Sequence, residues 1–191
     1  MAMACEAAAM GVDARITNSE GASVGTHRGL RAYGNSHGFR GAYPGTVHSV
    51  SCAVLGSENG SMERDYWYST ARDWRELEDV VQVGRRSGER TVRRLGARKL
   101  PTARLPVLFS PEVARGLIGH FVGAIRGGRQ YRRASFLLDA AGERIFPDWF
   151  AISERPHMPR ALASAPCDHE CVRTCDREIV EGGVLLGYEL S

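Results

Sequence analysis

No stretch of the chain approaches the ~20 consecutive apolar residues that a membrane-spanning helix needs, so no such helix is expected. Lysine is almost missing: of the 25 basic residues only Lys99 is a lysine, and the rest are arginine. Set against 22 acidic residues, they leave a formal net charge of +3. A charge that small does not mark a nucleic-acid binder, and no nucleic-acid module signature is present. There is no internal repeat and no low-complexity tract. The cysteines number five, an odd count without an evident framework of pairs, which fits a reducing, cytoplasmic setting better than a secreted disulfide scaffold. Met1 to Met10 is apolar but carries Glu6 and lacks a basic flank, so it reads as the end of a helix and not as a signal peptide. What remains is ordinary globular material. The 191 residues, 43% of them apolar and 25% charged, suffice for one large domain or two small ones. Nothing at this size requires a disulfide or a metal for stability.

Residues 14–69 read as a β-meander. Val50, Cys52 and Val54 alternate with Ser49, Ser51 and Ala53, a period of two that turns one face inward. Turn signals stand at Asn18–Gly21, Gly34–Gly38, Tyr43–Gly45 and Gly56–Gly60. Asp65-Tyr66-Trp67-Tyr68 is a β-prone aromatic run. Short strands with close turns imply antiparallel pairing. A long amphipathic helix is expected from Asp73 to Leu95. Asp73 and Glu76 have capping-box spacing, and Leu77, Val80, Val81, Gly84, Gly88, Thr91, Val92 and Leu95 form a stripe for a core. Gly96 stops the helix.

After a Pro-containing connector from Lys99 to Pro106, Val107–Phe109 reads as a short strand. Ser110-Pro111-Glu112 then starts a second helix running to about Arg126, with Ser as N-cap and Pro at the first position. Gly116, Gly119 and Gly123 share one face of it. Each glycine costs about 1 kcal/mol in a helix relative to alanine, so close approach of another backbone is expected there. Farther on, Tyr131–Leu138 suggests a short helix and Arg144–Ser153 an extended segment. Arg155–Pro166 reads as irregular, and Arg177–Leu190 as a hairpin around Glu181-Gly182-Gly183. The fold class is therefore α+β: an antiparallel meander, two amphipathic helices, and a mixed strand and loop region ending in a β-hairpin.

Four groups of residues bear on chemistry. The second helix carries a single histidine, His120, and no acidic residue follows it before Asp139. A helical zinc protease needs two histidines on one face and a carboxylate to activate water, so this helix offers no zinc site. Cys167, His169, Cys171 and Cys175 place three thiols and an imidazole within nine residues. Their spacing of three and three departs from the usual pairs spaced by two. They form a candidate metal site, set against the alternative of substitutions in a loop. His27, His37 and His48 could converge in a meander or stand apart as separate polar residues. Arg85, Arg86, Arg90, Arg93, Arg94 and Arg98 form either a phosphate-binding stripe or a solvated helix face, the usual fate of such runs. Asp65, Tyr66 and Tyr68, with Asp148 and Trp149, could line a peptide groove, although aromatics in strands are more often core.

The segment Asp13-Ala14-Arg15-Ile16-Thr17-Asn18-Ser19-Glu20-Gly21-Ala22 resembles the N-S-E-G motif of the PmbA/TldE family. Gly34-Asn35-Ser36-His37-Gly38-Phe39, Arg64-Asp65-Tyr66-Trp67-Tyr68, Ala97-Arg98-Lys99-Leu100-Pro101-Thr102, Ala134-Ser135-Phe136-Leu137-Leu138-Asp139 and Phe146-Pro147-Asp148-Trp149 resemble further segments, in family order across nearly the whole chain. The resemblance implies a PmbA/TldD-like fold and a partner. TldE-type subunits pair with TldD in a cytoplasmic metallopeptidase that trims unfolded or short peptides, with roles in peptide-antibiotic maturation and antitoxin degradation. The family also carries the label modulator of DNA gyrase.

In TldD a helical H-E-x-x-x-H motif and a further cysteine hold zinc. Laid over that motif, Gly119 and Ala124 stand where the histidines would be, and His120 where the glutamate would be. The resemblance thus implies no catalytic residue and no cofactor in this chain, with zinc in the TldD partner. Composition, not the resemblance, leads to the expectation of no membrane partner and no nucleic-acid partner, while the gyrase label keeps a nucleic-acid-binding protein as an alternative. The family segment P-F-D-G-E-G reads Pro166-Cys167-Asp168-His169-Glu170-Cys171 here, with Cys167 in place of Phe and His169 and Cys171 in place of glycines that serve a turn. Three regions are expected: a β-meander at 1–72, a helix and linker at 73–105, and the start of a C-terminal PmbA/TldD-like domain at 106–191. Family members are longer at both ends, so the chain reads as a central fragment.

Overall fold

The computed structural model describes residues Met1–Glu189. The chain forms two units: Met1–Pro101 with Arg160–Leu162, and Thr102–Pro159 with Ala163–Ser191. The strand end expected at Leu190-Ser191 lies outside the described residues.

In the first unit the alternation at Val50, Cys52 and Val54 has its expected effect. All three are buried, on the strand β2 (Arg40–Glu58), which lies between β1 (Ile16–Gly34) and β3 (Ser61–Ala71) in an antiparallel sheet. Asn59 and Gly60, both at positive φ, make the tight β2–β3 turn, as an Asn-Gly pair favours. Two expected turns are not turns. Asn18–Gly21 is an irregularity within β1, with register shifts between Ile16 and Asn18 and between Ser19 and Gly21, and with Gly21 at φ +101. Tyr43–Gly45 lies inside β2, paired with Gly29–Arg31. β3 reaches only as far as His48 along β2, so His27–Gly34 and Arg40–Val47 continue as a two-stranded ribbon.

Two helices cover the sheet. The N-terminal helix α1 (Ala2–Met10) was expected, and it buries Cys5 and Ala9. The expected helix from Asp73 is split. Asp73 caps only a 3-10 turn (Trp74–Glu76), Leu77 is extended, and Asp79 caps α2 (Val80–Arg94) by accepting from the N–H groups of Val81 and Gln82. The break is held by β3: the Glu78 N–H donates to Ser69 Oγ at 3.0 Å, and the Glu78 carboxylate accepts from Trp67 Nε1 at 3.1 Å. Glu76 pairs with Arg160 instead of closing a capping box.

The buried stripe of α2 is Val83, Gly84, Ser87, Gly88 and Thr91, with Val81 outside. Ser87 and Thr91 are tolerated there because their hydroxyls donate to backbone carbonyls, Ser87 to Cys52 at 3.0 Å and Thr91 to Ser87 at 3.0 Å. Gly84 and Gly88 let α1 sit against α2. A Cβ on Gly84 would lie 1.9 Å from the Cys5 carbonyl oxygen, and one on Gly88 2.6 Å from that of Ala9. Gly96, at φ +70, follows the helix end as expected.

In the second unit, Pro111 opens α3 (Pro111–Ile125), which buries Phe121, Ala124 and Ile125. These residues pack with Leu137, Ala140, Val180 and Leu185 and against Phe146, Phe150 and Ile152. The Tyr188 hydroxyl binds across this core, donating to the Leu137 carbonyl at 3.0 Å and accepting from the Ala140 N–H at 2.7 Å. Arg126 breaks α3, and the expected helix at Tyr131–Leu138 is replaced by α4 (Gly127–Tyr131). Val107–Phe109 is not a strand. Leu108 is fully exposed, so the run has no sheet to join. Of Arg144–Ser153 only the end is a strand, β4 (Ile152–Glu154). It pairs with β5 (Arg177–Glu181), which forms the expected hairpin with β6 (Val184–Leu185). Gly183, at φ +79, is required in that hairpin: a Cβ there would meet the Phe146 carbonyl oxygen at 2.2 Å.

Candidate functional site

Helix α3 carries the positions that matter most for hydrolysis. Gly119 and His120 are exposed and Ala124 is buried, so the one imidazole of the helix faces outward. Among the described residues, no three His, Cys, Asp or Glu side chains form a group that could hold a metal ion. The expected backbone approach at Gly116, Gly119 and Gly123 is also absent: a Cβ at any of them would meet nothing within 4 Å.

The histidines stay apart. His48 lies opposite Thr26 across the β1–β2 ladder, with Thr26 Oγ1 3.1 Å from His48 Nδ1. His27 is one residue on and therefore on the other face of the ribbon. His37 sits in the hairpin turn, where Asn35 Oδ1 accepts from the N–H groups of His37 and Phe39.

Three arginines of α2, Arg86, Arg90 and Arg94, are engaged by carboxylates of their own unit. Arg90 and Arg94 reach Asp65 at 3.4 and 3.7 Å, Arg94 reaches Glu63 at 3.3 Å, and Arg86 reaches Glu78 at 3.3 Å. Arg86 and Arg90 also lie over the Trp67 ring, at 5.3 and 5.1 Å from its centroid. Asp65 and Trp67 thus belong to the helix–sheet contact. Tyr66 and Tyr68 point to the other side of the sheet and are exposed, and Trp149 of the second unit is exposed too.

A feature the sequence did not signal is a basic cavity of about 620 Å³ in the first unit, lined by Thr26, Arg28, Thr46, His48, Arg72, Asp73, Trp74, Arg75 and Arg160. Arg72 donates to the carbonyls of Ala161 and Leu162, both at 2.8 Å. Arg75 binds Asp73 and holds its carboxyl down at about 2. The strand alternation sets Thr26 with Arg28 and Thr46 with His48. The rest comes from two distant segments, which no local spacing rule joins.

The cysteines divide by unit. Cys5 and Cys52 are buried in the first core, where burial pushes both thiols up, that of Cys52 to about 11. Cys167 and Cys171 are half-buried in a loop of the second unit and Cys175 is exposed, with none in a disulfide. Cys171 has φ +62, the left-handed conformation that glycine adopts most readily, in keeping with the glycine of the family segment.

Residues 1–95 match the family model described as the PmbA/TldA metallopeptidase central domain, and residues 102–191 match the one described as the PmbA/TldA metallopeptidase C-terminal domain. The protein named metalloprotease PmbA homolog of Haemophilus influenzae is 48% identical over 188 residues, which are 98% of this chain and 42% of that protein. A protein of Bacteroides thetaiotaomicron, described as a putative modulator of DNA gyrase, superposes with a TM-score of 0.92 at 28% identity, covering 98% of this chain and 43% of that one. TldE from Thermococcus kodakarensis superposes with a TM-score of 0.73 at 19% identity, over 96% of this chain and 41% of that one, a likeness of fold. The chain spans less than half the length of these relatives. Its α+β architecture is theirs, and it belongs to the PmbA/TldD metallopeptidase family.

Proposed function

We propose that this chain is part of a TldE/PmbA-type subunit of a cytoplasmic TldD/TldE metallopeptidase, and that it contributes neither a zinc ligand nor a hydrolytic group. The observation that carries this reading is the donor chemistry of α3. Catalytic zinc takes three protein ligands and a water. Gly119 and Ala124 have no donor atom, His120 stands alone, and no group of three potential ligands occurs among the described residues. The residues present do not fit the metal, so zinc and the carboxylate that activates water are assigned to the TldD partner. This chain would complete the chamber that receives unfolded or short peptides and would steady the catalytic subunit. The names of its relatives, metalloprotease PmbA and TldE, support this reading.

Two other functions make different predictions. A metal-binding protein using Cys167, His169, Cys171 and Cys175 would carry stoichiometric metal and lose structure to a chelator. A nucleic-acid binder would show DNA affinity falling steeply with salt. The pairing of Arg86, Arg90 and Arg94 with carboxylates favours the first reading over the last. The direct test is affinity capture with a TldD-type subunit from the same genome, followed by a peptidase assay on an unfolded peptide. A complex at micromolar concentration, with cleavage confined to samples containing the TldD-type subunit, is expected. Absence of any complex would overturn the proposal.

A further inference from the structure

Cys167 and Cys171 open and close a tight loop. Cys167 bridges to Arg173 in antiparallel fashion. The Asp168 N–H donates to the Val172 carbonyl at 3.0 Å, and Asp168 Oδ1 accepts from the N–H groups of Glu170 and Val172, both at 2.9 Å. With Cys171 in the left-handed region, the two Sγ atoms stand 2.7 Å apart, not far beyond the covalent S–S distance of about 2.0 Å. Both thiols are half-buried, not sealed in a core.

Chain spacing does not explain this choice of partner. Cys175 is as far from Cys171 along the chain as Cys167 is, so ring size alone would favour Cys171–Cys175 equally. The folded loop selects Cys167 and leaves Cys175 exposed.

We propose that Cys167 and Cys171 form a reversible dithiol–disulfide site whose oxidant is a small-molecule disulfide such as glutathione disulfide. One cysteine, as thiolate, attacks a sulfur of the oxidant. This forms a mixed disulfide and expels one glutathione thiolate, which takes up the proton the cysteine gave. The second cysteine then attacks the mixed disulfide at the protein sulfur. The Cys167–Cys171 bond forms, a second glutathione leaves, and that glutathione takes the second proton. The protein loses two electrons and two protons, and one oxidant molecule becomes two thiols. Reduced glutathione in excess runs the sequence backward. Cys5 and Cys52 take no part, since burial both shields them and disfavours their thiolates.

The reduced 191-residue chain is equilibrated with mixtures of reduced and oxidised glutathione, alkylated with N-ethylmaleimide, and digested with trypsin. Cleavage after Arg160 and Arg173 places Cys167 and Cys171 in one peptide and Cys175 in another. The expected product is the Ala161–Arg173 peptide, unalkylated and lighter by two hydrogens, with Cys175 alkylated. The internal bond should exceed the Cys171–Cys175 cross-link severalfold in native buffer. In concentrated guanidinium chloride the two equal-sized rings should form to similar extents. The Cys175→Ser chain should still close the ring, and Cys171→Ser should stop at a mixed disulfide on Cys167. A native product dominated by Cys171–Cys175, equal pairing in native and denatured samples, or glutathione adducts without ring closure would each overturn the proposal.

Discussion

Helices α2 and α3 are both fifteen residues long and both carry glycines on one face. In α2 those glycines are contact points: Gly84 and Gly88 touch the carbonyls of α1, and no side chain fits between. In α3 Gly116, Gly119 and Gly123 meet nothing within 4 Å, and Val113 and Leu117 are exposed beside them. A glycine states only that a Cβ is missing. Whether the gap holds another backbone depends on an amphipathic neighbour, and in α2 that neighbour is the segment from Ala2 to Met10.

Substitutions break this comparison in opposite directions. Gly84→Val should destabilise the first unit most, by about 3 kcal/mol, because α1 must move to admit a side chain. Urea unfolding checks this, and an unchanged midpoint would show that the helices are not in contact. Tyr188→Phe in the second unit should cost about 2 kcal/mol, since the Ala140 N–H and the Leu137 carbonyl both lose their partner. The loss should appear in the same measurement. Gly119→Ala should act with the other sign and raise stability by about 1 kcal/mol, the difference in helix propensity at an open position. A loss there would mean that the face of α3 is occupied.

The smallest effect expected is at low pH. Hydrogen bonds from the Arg75 side chain and backbone N–H hold the Asp73 carboxyl at about 2, below its ordinary 3.8. A carboxylate depressed by folding stabilises above its unfolded pKa and loses that contribution as pH falls through the folded one. Acid titration of the unfolding midpoint between pH 3.8 and about 2 should therefore show a shallower slope for Asp73→Asn than for the parent chain.

Much of the fold in both units was legible because local spacings and turn residues report burial and chain reversal directly. The meander, the hairpin at Gly182-Gly183 and the N-cap of α3 all follow from local rules. The split at Leu77 was not legible, because Asp73 and Asp79 both suit an N-cap and the choice rests on Ser69 and Trp67 of β3. Ser87 in place of Val81 on the buried stripe also depends on a tertiary partner, the Cys52 carbonyl. That Gly119 and Ala124 bring no donor atom to α3 could be read from residue types alone, wherever those residues lie. The basic cavity and the Cys167–Cys171 pairing could not, because the first joins distant segments and the second chooses between equal spacings.

The most direct measurement is zinc content, by mass spectrometry after gel filtration, together with chelator-sensitive cleavage of an unfolded peptide by this chain alone. Substoichiometric zinc and no cleavage are expected. Stoichiometric zinc with cleavage that disappears in His120→Ala would contradict the assignment of hydrolysis to a partner.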